Sequence, residues 1–379
     1  MTGKERVMAT FEGRETDKVP IYCAGLSSRI ASHVLGHEAF VGHGMQRYRE
    51  SIARWEGRLD EFEERTRNDV LEVSETLDLD LVRPMYWRYP HDPIERIDEH
   101  TFMFGDEHDY WWVMRFDPDT ELYQECDRAP LEEPTIDDVI RQTELSEEAA
   151  ESGAAPTPDS YPDLQAAIEY YGDRRAIPGS GTGVSVPRER HWLEAMITHT
   201  DVVRRYLVAR AKINCKTIPV MAQMGLKILF GGGDFAGKNG PLYGPKQFHE
   251  CMLPALQIVS ECCHEHDTWH FFASDGNLWP VAEDLFGNSG VDGFYEIDIR
   301  CEMELERVRD TFPHLRLCGG VASETLHQGS VEDVVEETRE ALDVARRRGR
   351  IVVGVSNQVV PATPPENFDA MMQTLHEQP

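Results

Sequence analysis

The sequence predicts an α/β protein of the (β/α)8 class, a TIM barrel. Three observations carry this. Short apolar runs of strand length recur along the chain, and each ends in a polar or glycine-containing turn. Segments of helix length separate most of them. The clearest unit is Trp269-His270-Phe271-Phe272-Ala273-Ser274-Asp275-Gly276-Asn277, an apolar run that stops abruptly in Ser-Asp-Gly-Asn. Leu278-Trp279-Pro280-Val281 then opens a helix-like segment. Ligands of parallel sheets bind at the carboxyl ends of the strands, so Asp275 and Asn277 stand where a site would be.

The elements follow in order. Met1 to Arg14 reads as a helical extension, with Val7, Met8 and Phe11 on one face. Val19 to Ala24 is the first strand, ending in Gly25-Leu26-Ser27-Ser28. A helical region covers about 30–75. Leu79-Asp80-Leu81-Val82-Arg83 is the second strand, ending near Tyr86 and Trp87. An insertion at about 90–158 then breaks the alternation. Phe102 to Gly105 and Tyr110 to Phe116 form a β-hairpin in it, with a turn at Asp117-Pro118-Asp119. Its acidic stretch from 132 to 158 is a surface helix and a loop.

Ala176 to Gly179 is the third strand and runs into Gly-Ser-Gly-Thr-Gly. That stretch lacks the lysine and spacing of a nucleotide loop and reads as a tight turn. Leu226 to Phe230 is the fourth, ending in Gly231-Gly232-Gly233-Asp234. Gly293 to Ile297 is the sixth, with Glu296 and Asp298 at its end. Leu315 to Cys318 is the seventh, stopping at Gly319-Gly320. Ile351 to Gly354 is the eighth, followed by Ser356, Asn357 and Gln358. Helices are expected at Pro245–His266, Trp279–Phe286, Cys301–Thr311 and Val331–Arg348.

The 379 residues alone suggest two domains, yet α/β barrels run this long as one, so a single domain over 1–379 is expected. Hydrophobic residues make up 40%, enough for a large core. No apolar run of about 18 residues exists, so no membrane partner is expected. The first residues lack a hydrophobic signal segment, so a cytoplasmic location is expected. Acidic residues number 68 against 38 basic ones, a formal charge of −30. Such a surface repels nucleic acid and anionic lipid and serves solubility. The 8 cysteines are scattered without a CxxC pair and read as reduced, mostly buried thiols.

Carboxylates at strand ends are the candidate catalytic groups: Asp275, with Asp234 and Glu296. Carboxyls sharing one pocket raise each other's pKa, which makes a general acid. Cys318 is a candidate ligand or nucleophile, read first as a buried small residue. Cys262-Cys263-His264-Glu265-His266 and His270 have the composition of metal ligands. They fall at a helix C-terminus before a strand, the stability face of a barrel. Trp87, Trp111 and Trp112 wall a flat ligand or cover the hairpin.

Three stretches give the chain a resemblance to the uroporphyrinogen decarboxylase superfamily. They are Gly233-Asp234-Phe235-Ala236-Gly237-Lys238-Asn239-Gly240-Pro241-Leu242-Tyr243-Gly244-Pro245, Ser274-Asp275-Gly276-Asn277 and Thr363-Pro364-Pro365-Glu366-Asn367-Phe368. The resemblance covers nearly the whole chain and implies the barrel. One branch of that superfamily decarboxylates porphyrinogen arms without a cofactor. The other moves methyl groups between corrinoid proteins and acceptors, often with zinc. The decarboxylase motif Arg-Gln-Ala-Gly-Arg-Tyr is replaced here by Cys23-Ala24-Gly25-Leu26-Ser27-Ser28-Arg29. The zinc-binding His-x-Cys of the other branch is Ala273-Ser274-Asp275, and the region of its later Cys is Ser356-Asn357-Gln358.

The chain is more similar to the methyltransferase branch. The resemblance then implies methylcobalamin on a separate corrinoid protein, a small-molecule substrate, nothing tightly bound and no zinc. It is compatible with a homodimer. Substrate contacts are expected from Asn277, Arg83, Tyr86, Lys238, Asn239, Cys318, Ser356, Asn357 and Gln358. A lyase acting on a small or tetrapyrrole acid, and a binding protein without catalysis, are the alternatives.

Overall fold

Six short strands in the computed structural model lie side by side, and all of them run parallel. The structure describes every residue except 85, 132 and 379, so Glu132, the first residue of the acidic stretch, lies outside the described residues. The strands in chain order are β1 (Ile21–Leu26), β2 (Glu95–Arg96), β3 (Thr101–Gly105), β4 (Trp111–Asp117) and β5 (Leu122–Arg128). They continue with β6 (Ile228–Gly232), β7 (Ala236–Gly237), β8 (Gly240–Pro241) and β9 (Trp269–Ala273). The last are β10 (Gly293–Tyr295), β11 (Arg316–Val321) and β12 (Ile351–Val359).

The parallel sheet has the order β1-β12-β11-β10-β9-β6. Single parallel bridges, Tyr22 to Leu81, Leu81 to Ala176 and Gly179 to Leu229, carry the pairing from β1 round to β6. The sheet therefore curls into a TIM-barrel-like α/β fold. The second and third expected strands are reduced to these bridges. Pro84 and Pro178 flank them, and a proline offers no backbone donor to a ladder.

Register places the strand ends together. Gly232 pairs with Ala273, and Ala273 with Tyr295. The next residues out, Asp234, Asp275 and Glu296, leave the sheet at one level. β11 and β12 run further than the sequence suggests. Gly319 and Gly320 stay within β11, opposite Val353 and Gly354. Ser356, Asn357 and Gln358 lie within β12 rather than beyond it.

The helical region expected over 30–75 is three helices, Ser28–Leu35, His43–Trp55 and Leu59–Thr76. Gly36 ends the first in a left-handed cap. The helix expected from Cys301 starts only at Leu305, after a 3-10 turn at Ile299–Cys301. The helix Gly3–Glu12 lies against the core, with Phe11 fully buried and edge-on to Trp269 at 6.0 Å. Its Arg6 bonds Asp80 at 2.5 Å, and Asp80 also accepts from the Ile21 backbone.

β2 to β5 form a separate antiparallel sheet of 4 strands, in which β3 and β4 pair as the arms of the expected hairpin and the turn after Asp117 leads on to β5, paired with β4. Its inner face shares a small apolar core with the helix His43–Trp55, where Tyr48 stacks on Phe116 at 4.2 Å. Glu121, between β4 and β5, accepts from the Ser28 and Arg29 amides at 2.7 and 2.9 Å. That sheet is thus anchored where β1 ends. Among the described residues, no helix is long and apolar enough to cross a membrane.

Gly354 sets how closely β1 and β12 approach. A Cβ there would stand 1.9 Å from the Tyr22 carbonyl oxygen. Only a shift of backbone could relieve that, so Gly354→Ala should lower unfolding stability by about 1–3 kcal/mol or more. Urea unfolding measures this, and an unchanged midpoint would show that the two strands are not held at this spacing.

Candidate active site

A cleft of about 430 Å³ opens at the carboxyl ends of β9, β10 and β12. Asp275, Glu296, Asp298, Lys238, Cys301 and Asn357 are among the residues that line it. Asp275 stands two residues beyond β9. Both its carboxylate oxygens accept from Asn357 Nδ2, at 2.9 and 3.0 Å. Asn357 Oδ1 in turn accepts from the Gln358 amide at 2.7 Å. That bond turns the oxygen away and leaves the NH2 group facing Asp275.

The turn that presents Asp275 depends on Gly276. Its φ is +91°, and a Cβ would meet the Ala236 carbonyl carbon at 2.6 Å and the Gly237 nitrogen at 2.7 Å. Only glycine fits such an approach. The Asn277 amide donates to the Gly237 carbonyl at 3.0 Å. This ties the β9 turn to the β7–β8 hairpin, whose own turn brings Lys238 to the cleft.

Four carboxylates set the electrostatics. The Asp275 amide donates to Asp234 at 3.3 Å, and the Gly276 amide to Asp298 at 3.1 Å. Glu296 adopts a φ of +58°, uncommon for a non-glycine residue, and accepts from Arg83 at 2.8 Å. The Arg83 guanidinium lies over the Tyr295 ring at 5.5 Å. Burial, then the charges of Asp234 and Glu296, push the Asp275 carboxyl up to about 6, and the Asn357 hydrogen bond opposes them. Asp275 therefore exchanges a proton near neutral pH. Burial and Asp298 push the Cys301 thiol up to about 11, so it faces the cleft as a neutral thiol.

The structure brings together five of the expected residues in the cleft wall: Asp275, Glu296, Lys238, Ser356 and Asn357. Asp234 and Arg83 stand beside them through their bonds to Asp275 and Glu296. Five others have different places. Asn277 accepts from the Trp279 amide at 3.1 Å and so closes a turn. Asn239 is exposed between β7 and β8. Gln358 orients Asn357. Tyr86 packs against the core, its hydroxyl buried without a partner among the described residues. Cys318 is fully buried inside β11, and burial raises its thiol well above the ordinary range.

Asp298, Cys301, Arg300 and Glu324 line the cleft without having been singled out as site residues. The signal for Asp298 was its place two residues after Glu296. Cys301 reaches the cleft because the turn Ile299–Cys301 folds back instead of starting a helix.

Among the described residues, no three His, Cys, Asp or Glu side chains are grouped so as to hold a metal. His264 pairs with Asp292 at 2.9 Å, and His270 is fully buried beside Ser260 at 2.8 Å. Burial lowers the His270 imidazole to about 3. Where the resemblance looks for soft zinc ligands stand Ala273, Asp275 and Ser356 to Gln358. This donor set does not fit a zinc–thiolate centre.

Residues 184–378 match the family described as uroporphyrinogen decarboxylase (URO-D). That span is more than half of the sequence, and the chain belongs to this family. No curated protein matches it. A solved structure of a methyltransferase from Methanosarcina mazei has the same fold, with a TM-score of 0.66 at 17% identity, covering 100% of this chain and 99% of that one.

The raised Asp275 pKa has a consequence for stability. Between the ordinary carboxyl value and about 6 the folded protein binds a proton that the unfolded chain has lost. Stability contributed by the protonated form is complete below the unfolded value and is lost as pH rises through about 6. Asp275→Asn keeps the shape and removes this loss. The variant should melt higher than the parent at about pH 8, with the gap closing towards about pH 4. A thermal melt series reads this, and a lower melting temperature at the higher pH would contradict the burial argument.

Proposed function

We propose that this member of the uroporphyrinogen decarboxylase family transfers a methyl group at the mouth of its barrel. The methyl group comes from a corrinoid held on a separate protein and goes to a small acceptor. The observation that carries this reading is the Asp275 carboxyl, held by Asn357 in a carboxylate-rich cleft and titrating at about 6. A base of that kind suits an acceptor that must lose a proton as it is methylated.

The charge balance of the cleft supports it. A porphyrinogen carries many carboxylates and calls for unpaired cations. Here Asp275, Glu296, Asp298 and Glu324 face Lys238 and Arg300. Arg300 is engaged by Glu337 at 3.1 Å, and Arg83 by Glu296. Lys238 alone does not balance a polycarboxylate. The fold shared with a protein named a methyltransferase agrees with the reading but does not carry it.

Methylcobalamin, when docked, supplies a methyl group on an electrophilic carbon. The chain's own residues do the rest. Asp275 takes the acceptor's proton as the new bond to the methyl carbon forms. The electrons of the broken bond remain with the donor, so no external oxidant or reductant is needed. Asn357 holds the carboxylate in one orientation, and Lys238 offers a cation to an acceptor that becomes anionic. The working form of Asp275 is the carboxylate, so rate rises with pH through about 6.

The test is turnover of methylcobalamin, followed by its visible spectrum, with thiol, amine and phenol acceptors. Asp275→Asn should cut the rate by about 10²–10⁴-fold and remove the ionisation near pH 6. Wild-type protein that leaves the spectrum unchanged with every acceptor would defeat methyl transfer. Asn357→Asp replaces the donor with a second carboxylate, so the acidic limb of the pH profile should move upward. If that limb stays in place, Asn357 does not set the Asp275 proton.

A further inference from the structure

The opposite end of the barrel carries a second cavity, of about 680 Å³. Pro20, just before β1, and Ile351, the first residue of β12, lie in its wall, so it opens on the face where strands begin. In a chain of net charge −30 this cavity is basic. Its cations are Arg14, Lys18, Arg309, Arg346, Arg348 and Arg350. Its carboxylates are Glu12, Glu15 and Asp17. Two of these are already matched, since Glu12 holds Arg14 and Asp17 holds Arg6 at 2.6 Å.

Three of the cations form no ion pair with a carboxylate among the described residues. Arg309 is 8% exposed, and its bonds run to the carbonyls of Gly349, Pro313 and Arg348. Arg350 donates to the Phe11 carbonyl at 3.1 Å. Lys18 has no ion pair among the described residues. A guanidinium has five N–H donors, so carbonyl contacts orient Arg309 and Arg350 without neutralising them. Burial and then the charge of Arg350 lower the Arg309 pKa, and the nearby Asp310, which is not bonded to Arg309, offsets this only in part. A buried cation with no carboxylate bonded to it is costly unless something anionic joins it.

We propose that this cavity binds a small molecule bearing a polyphosphate group, with Arg309, Arg350 and Lys18 as its anion ligands. Planar guanidiniums match phosphate oxygens in pairs, and Lys18 adds a point charge. The volume suits a nucleotide-sized ligand. The site is separate from the Asp275 cleft and does not rest on the methyl-transfer reading.

Calorimetric titration of the full chain with sodium pyrophosphate, ATP and adenosine tests it. Pyrophosphate and ATP should bind, adenosine should not, and added salt should weaken both. Lys18→Gln and Arg350→Asn should each weaken binding by about tenfold or more. Asparagine tolerates the +59° φ of Arg350, and thermal melts check that both variants fold. Asp275→Asn should bind as the parent does. Absence of heat with both anions, binding of adenosine as tight as that of ATP, or anion binding untouched in both variants would overturn the assignment.

Discussion

The pairing of β1 with β12 is the constraint on which the rest depends. It joins the first barrel strand to the last, and the single bridges through Leu81, Ala176 and Gly179 complete the turn on the other side. Gly354 lets the two backbones meet, and the bulge between Cys23 and Gly25 lets β1 follow β12 out to Val359. That extra length decides the chemistry. It carries Asn357 across the mouth to the Asp275 carboxylate. If β12 ended at Gly354, nothing on it would reach the cleft.

The cleft is an electrostatic arrangement more than a shape. Asp234, Glu296 and Asp298 surround Asp275 and take backbone amides or Arg83 as their partners. Asp275 stands apart because burial, then the charges of Asp234 and Glu296, raise its pKa against the single neutral donor of Asn357. A buried carboxyl among other carboxylates holds its proton to higher pH than an exposed one. Burial of Asp275 also explains why a carboxylate-rich site holds a working base near neutral pH rather than in acid.

Much of this could be read from the sequence. Apolar runs ending in Ser-Asp-Gly-Asn and Gly-Gly-Gly-Asp mark strand ends by composition, and strand ends place Asp275 and Asp234 at the mouth. What misled was the meaning of glycine and asparagine at those ends. Gly319-Gly320 reads as a stop, yet both stay in β11 and leave Cys318 inside the sheet. Asn277 reads as a ligand, yet an asparagine two residues before a free amide commonly closes a turn, as it does on Trp279. The fold-back that brings Cys301 to the cleft had no local signal, because the helix after it begins four residues later. Long-range closeness such as Asn357 to Asp275 follows from barrel closure and not from any stretch of residues.

β12 runs the length of the barrel wall, from Ile351 at the basic cavity to Asn357 at the cleft. One strand touching two sites invites the idea of coupling between them. The structure argues for a simpler link. β12 is buried from Ile351 to Ser356 and paired on both edges, by β1 and by β11. A strand held that way has no second arrangement to switch into, and coupling needs a two-state element that both ligands bias. An anion at the barrel floor would neutralise Arg309 and Arg350, and only the folded chain assembles them there. Its effect is therefore on the stability of the closed ring, rising with ligand concentration, while the Asp275 proton stays under the control of its own neighbours.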